Sequence, residues 1–156
     1  MKKEKKLINL YSPLKILLII ISIGIFKNDS FSVQDTARMY PSSDNTLYEN
    51  TSGSLSNGIG QFFFTGTTHI GLKRRGLVKF NFLDVIPPCA NIVSITLRLH
   101  MSRTIAGNSP VELRKVHQDW GEGLSDAPGE EGTGTGAEIG DATWVHTFYD
   151  DQFWSR

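Results

Sequence analysis

Three groups of residues in this chain have the types and spacing to do chemistry. Residues 119–141 read DWGEGLSDAPGEEGTGTGAEIGD, rich in glycine and carboxylates. Asp119, Glu122, Asp126 and Asp141, with Glu130 and Glu131 among them, could supply oxygen ligands to calcium, because hard cations take several oxygens and glycines let carbonyls turn inward. Their spacing does not match the EF-hand loop, and the competing reading is a long solvated loop with no ligand. The second group is aromatic. Trp120, Trp144 and Trp154 could each stack on a sugar ring, or simply build core. Trp120 borders the acidic loop and is the strongest ligand candidate, whereas Trp144 falls in a strand candidate. The third is Lys73-Arg74-Arg75, three adjacent cations suited to charge-assisted hydrogen bonds with an acidic polysaccharide, or to a solvated turn.

Catalytic patterns are lacking. His69, His100, His117 and His146 form no H-E-x-x-H or H-x-H pair, and no G-x-S-x-G elbow is present. Cys89 has no local catalytic-cysteine signature and, being single, closes no internal disulfide; it reads as a small apolar residue beside the Pro87-Pro88 turn. GTGTGAEIG lacks the spacing, preceding strand and following helix of a dinucleotide loop. Abundant carboxylates alone do not make a glycosidase, although Asp119 and Glu122 would be the pair to test. The expectation is a chain without enzymatic activity.

The elements that must position these groups read as β. Residues 91–101 alternate strictly: Val93, Ile95, Leu97, Leu99 and Met101 on one face, Ser94, Thr96, Arg98 and His100 on the other. Residues 76–82 put Val78, Phe80 and Phe82 on one face opposite Lys79 and Asn81. Between them, Pro87-Pro88 demands a connection. Residues 45–49, 61–65, 111–117 and 143–149 are further strand candidates, and Phe62-Phe63-Phe64 suits a strand buried on both faces. No window has a helical period with caps. Short strands separated by turn signals predict an antiparallel β-sandwich or barrel. Six strands are fewer than the roughly eight of a jelly roll, and residues 153–156 follow the last without a closing element, so the sandwich is expected to be incomplete at its C-terminus.

Charge and the N-terminus bound the partners. The chain carries 16 basic and 16 acidic residues. Residues 1–32 hold six lysines and two acids, leaving ten basic against fourteen acidic side chains, a net −4, in the remainder. An acidic body argues against nucleic acid and against anionic membrane surfaces. Residues 1–32 read as a signal peptide: lysines, the apolar run 16–26, then a polar exit with Ser30 and Ser32 at cleavage-site spacing. The run is about half the roughly 20 residues a spanning helix needs, so no stable membrane span is expected after cleavage near Ser32. Residues 33–43 then form a linker and 44–156 the domain, secreted or displayed at the cell surface.

The strings SSDNTLYE, RRGLVKFNF, IPPCANIVSITLRLHMS and DWGEG–SDAPG–GDATW occur in that order. Together they resemble the DNRLRE-type domains of exported proteins, related to disaggregatase-type and carbohydrate-binding β-sandwich modules. Asp44, Asn45, Leu47 and Glu49 match the D-N-x-L-x-E pattern, while Thr46 and Tyr48 differ from the name-giving string. The resemblance spans residues 44–154 and implies a jelly-roll-like sandwich outside the cytoplasm with a non-catalytic, polysaccharide-binding role through basic residues. Relatives continue beyond the position of Trp154. The alternatives are a structural or adhesive surface domain without sugar recognition, and a fragment of a polysaccharide-degrading enzyme.

Overall fold

Strand β1, Ser43–Tyr48, begins where polar residues give way to the DNTLY string. Its last four residues, Asn45 to Tyr48, are all buried, so it carries packing on both faces rather than alternating. In the computed structural model, which describes residues 34–155, these and all other elements are short β-strands in antiparallel pairs, with no helix among the described residues. The signal-peptide reading of residues 1–32 lies outside the described residues. From Ala37 onward the chain forms one compact unit.

The remaining strands are β2 (Leu55–Ser56), β3 (Gly66–Thr67), β4 (Lys73–Lys79), β5 (Thr135–Gly136), β6 (His146–Phe148) and β7 (Gln152–Phe153). The largest sheet has the order β1-β4-β3. β1 and β4 run antiparallel from Ser43↔Lys79 to Tyr48↔Arg74. Two smaller sheets pair β2 with β5 and β6 with β7.

Leu47 and Leu77 of the largest sheet form an apolar core with Trp120 and Ala142, and Trp144 and Trp154 pack against it. The core is small, and much of what is fully buried is polar: Asn45, Thr46, Ser56, Asn57, Ser125, Asp141 and Thr143. Each such group needs a hydrogen-bond partner, and among the described residues no fully buried side-chain nitrogen or oxygen lacks one. Asn45 Nδ2 donates to the Glu122 carbonyl at 2.8 Å, and the Ser56 hydroxyl lies 3.0 Å from the Ala142 carbonyl. Asn57 receives the Ala127 N–H on Oδ1 at 2.9 Å and donates from Nδ2 to the Glu131 carboxylate at 3.0 Å.

Several expectations change. β4 starts at Lys73, three residues before the predicted strand, because Arg74 and Arg75 complete the ladder with β1. Residues 61–65 make no strand. Their backbone N–H groups are claimed by side chains instead: the Glu131 carboxylate accepts from Gln61 and Phe62, and the Thr46 hydroxyl accepts from Phe64. Residues 91–101 and 111–117 carry no ladder pairing, and Val93, Ile95, Met101, Val111 and Leu113 are exposed. Their alternating pattern is real, but a strand needs a neighbour, and none of the described residues supplies one. The Pro87-Pro88 connection is a turn, as predicted; Cys89 within it is exposed, with φ +69°. At the C-terminal end, Gln152–Phe153 pairs with β6 on one side in a two-stranded hairpin.

Candidate functional site

The acidic loop is tied to the rest of the fold by pairing and buried side chains. β5 pins its middle to β2, and Ser125, Ala127, Glu131 and Asp141 turn inward. Asp141 is fully buried; Oδ2 accepts the Glu138 N–H at 2.7 Å and Oδ1 the Ser125 N–H at 3.4 Å. Glu122 Oε1 accepts the Asp44 N–H at 2.9 Å. Burial, then the neighbouring Glu122 charge, raises the Asp44 carboxyl above its ordinary value. Asp119 is exposed and paired with Lys79 at 2.9 Å; hydrogen bonding from that lysine lowers its pKa. Asp126 is exposed. Of the four residues expected to hold calcium, Asp119, Glu122 and Asp141 thus make separate hydrogen bonds while Asp126 stands exposed, and among the described residues no group of three or more His, Cys, Asp or Glu side chains is placed to hold a metal.

The residues expected to touch a ligand also separate. Trp120 is 7% exposed inside the apolar core, so its faces are taken by protein. The reason is its neighbour: Gly121 hydrogen-bonds into the sheet through Thr147 and Ala142, drawing the indole inward. Arg74 stacks over the Tyr48 ring at 4.8 Å and donates from Nε to the Gly132 carbonyl. Burial lowers its pKa and pushes the Tyr48 hydroxyl up to about 12. Arg74 is therefore a structural clamp. Lys73 and Arg75 remain exposed on β4, and the Arg75 guanidinium lies 4.6 Å over the ring of Trp144.

Trp144 also lines a concavity. A cleft of about 750 Å³ opens beside the β6–β7 hairpin, between the turn holding Thr51 and Ser52 and the side chains of Trp144, His146, Phe153 and Trp154. Its shape follows from local sequence. Asn50 starts a tight turn, its carbonyl accepting the Gly53 N–H at 3.1 Å and its Oδ1 the Ser52 N–H at 2.9 Å. Gly53 closes that turn at φ +61°, and a Cβ there would stand 2.1 Å from Val145 Cγ2. On the other wall, Trp154 is fixed by its Nε1–H, which donates to the Thr143 carbonyl at 2.9 Å. Phe153 is 67% exposed, an apolar ring at the mouth of the cleft. His146 is 8% exposed, its ring 4.5 Å from that of Phe153 and edge-on to Tyr149 at 5.3 Å.

The cleft thus combines flat aromatic faces with hydroxyls and an imidazole, the surface suited to a ring with an apolar face and a polar edge. A second hollow of about 370 Å³ is lined by Phe82, Leu83, Ile86, Pro87, Ile92 and Ile95 and offers no polar side chain to orient a ligand. Of the cleft residues, the sequence marks Trp144 and Trp154. Thr51, Ser52, His146 and Phe153 escape it; the Phe153-Trp154 pair following a strand candidate is the one signal that could have drawn attention here. Comparison with protein-family models, curated proteins and solved structures found no match.

Proposed function

We propose that this chain is a non-catalytic, extracytoplasmic module, a jelly-roll-like β-sandwich in type, that binds polysaccharide at a cell surface or in a matrix. The observation carrying the reading is the cleft at the β6–β7 hairpin, where Trp144, Trp154 and the largely exposed Phe153 stand around one concavity. An exposed aromatic ring costs solvation free energy that folding alone does not require, and stacking on a sugar face recovers it. Lys73 and Arg75 lie exposed on β4, with Arg75 stacked on Trp144, and add positive charge near one wall. The resemblance to DNRLRE-type domains and the signal-like N-terminus support the same reading.

Affinity electrophoresis tests it. The purified chain is run through native gels containing a neutral glucan or polygalacturonate, beside a non-binding reference protein. Retardation in at least one gel is the expected result, together with loss of most of it in Phe153→Ser. Equal mobility with and without every polysaccharide tried would refute the proposal.

A further inference from the structure

We infer that His146 is a specificity-determining residue of the cleft: a neutral imidazole locked with its proton on Nε2, donating to an acceptor oxygen on the edge of a ring stacked against Phe153 and the tryptophans. This rests on the polysaccharide reading and adds to it the hydrogen-bonding sense of the ligand.

The tautomer follows from counting. His146 Nδ1 lies 2.9 Å from the Thr143 hydroxyl. That oxygen already accepts two backbone N–H groups, from His146 at 3.0 Å and from Val145 at 3.4 Å. A hydroxyl has two lone pairs and one proton. With both lone pairs engaged, what Thr143 has left to give Nδ1 is its proton, so Nδ1 accepts. The neutral ring then carries its own proton on Nε2.

The ring cannot readily turn to exchange these roles. Phe153 lies tilted against it at 4.5 Å and Tyr149 meets it edge-on at 5.3 Å. Nε2 has no hydrogen-bond partner among the described residues, yet none of those residues leaves a fully buried side-chain nitrogen unpaired. Nε2 is therefore not fully buried, and the concavity that His146 lines is the cleft. A buried ring whose one free atom is a donor selects ligands that present an acceptor there, whether a sugar hydroxyl or a ring carboxylate.

Two measurements on the full chain decide this. Imidazole nitrogen NMR reads the tautomer directly: protonated Nε2 with bare Nδ1 is expected for His146, and the reverse overturns the inference without any ligand. Affinity gels then compare variants. Glutamine places an amide donor where Nε2 stands, and leucine places none. His146→Gln should keep most of the retardation, and His146→Leu should bind about tenfold more weakly, the loss of one hydrogen bond. Melting of each variant confirms that it is folded. Equal binding by His146→Leu and the parent overturns the role of the imidazole while leaving the polysaccharide reading intact. Where the parent itself is retarded by neither the neutral glucan nor polygalacturonate, both fail together. The relative affinity for the two gels separates hydroxyl from carboxylate as the acceptor.

Discussion

Replacing Glu131 should unfasten the loop 58–64 from the rest of the domain. Its carboxylate, 7% exposed, accepts three hydrogen bonds: Phe62 N–H at 2.9 Å, Gln61 N–H at 3.0 Å and Asn57 Nδ2 at 3.0 Å. Its backbone sits at φ +57°, a conformation that costs a non-glycine residue of order 1 kcal/mol, so this position is held by what the side chain binds. Glutamine retains one acceptor oxygen. Oriented to keep Phe62 and Asn57 on that oxygen, it turns an NH₂ toward the Gln61 N–H, leaving one donor unsatisfied at about 1–2 kcal/mol. Alanine abandons all three and should cost about 3 kcal/mol, since water reaches part of the exposed Gln61 and Phe62 backbone. For a domain of this size that is a fall in melting temperature of roughly 10 °C or more. Acid adds a second readout. Burial pushes the Glu131 carboxyl up, but the bonds from Phe62, Asn57 and Gln61 together outweigh it and hold the folded value below the ordinary 4.5. The unfolded chain therefore takes up this proton first, so the stabilisation is complete above about pH 4.5 and is lost as pH falls through the lower folded value. Melting curves of the parent, Glu131→Gln and Glu131→Ala between neutral pH and pH 3 are the assay. If Glu131→Gln melts with the parent and keeps the same acid limb, the carboxylate does not organise this loop. Glu131→Gly is the control for backbone strain: it relieves the φ but removes the acceptors, and should still destabilise.

Two further substitutions probe the site's surroundings. Asp44→Asn should stabilise the domain by up to about 1 kcal/mol at neutral pH, because burial and the Glu122 charge raise the Asp44 carboxyl and make its ionised form unfavourable in the fold. The sign is opposite to that of Glu131: the unfavourable contribution sets in as pH rises through the raised folded value, so the gain in melting temperature should vanish well below it, and a loss of stability at pH 7 would contradict the argument. Gly53→Ala should cost about 2–4 kcal/mol, combining a left-handed backbone with a Cβ that meets Val145 at 2.1 Å, and a melt within 0.5 kcal/mol of the parent would show that the turn walling the cleft can shift freely.

What the sequence discloses here is local, and what it hides is paired over long range. The DNTLY string marks β1 because its residue types act where they stand; the observed strand Ser43–Tyr48 is displaced from the reading by a residue or two. β4 is displaced further, since three consecutive cations look like a turn until the register with β1 shows Arg74 opposite Tyr48, whose ring it covers. In residues 91–101 the alternation is unmistakable, but pairing is a property of two segments, and one segment cannot disclose the absence of the other. The acidic loop is the converse case. Composition says solvent or cation, yet Glu131 is buried by contacts 69 to 74 positions away in the chain, and Asp141 by backbone donors 3 and 16 positions away.

The fully buried side chains of this domain are mostly Asn, Thr, Ser and Asp, so its shape is set by hydrogen-bond counting more than by apolar packing. Apolar packing tolerates sliding, whereas a hydroxyl with two lone pairs and one proton does not. Thr143 applies that constraint at the cleft wall: with its acceptors spent on Val145 and His146, it can only donate to the imidazole, and the imidazole can only donate outward. A polar core of this kind therefore fixes the hydrogen-bonding sense of the cleft wall as firmly as it fixes the loops, and neither consequence is written in the spacing of the residues that produce it.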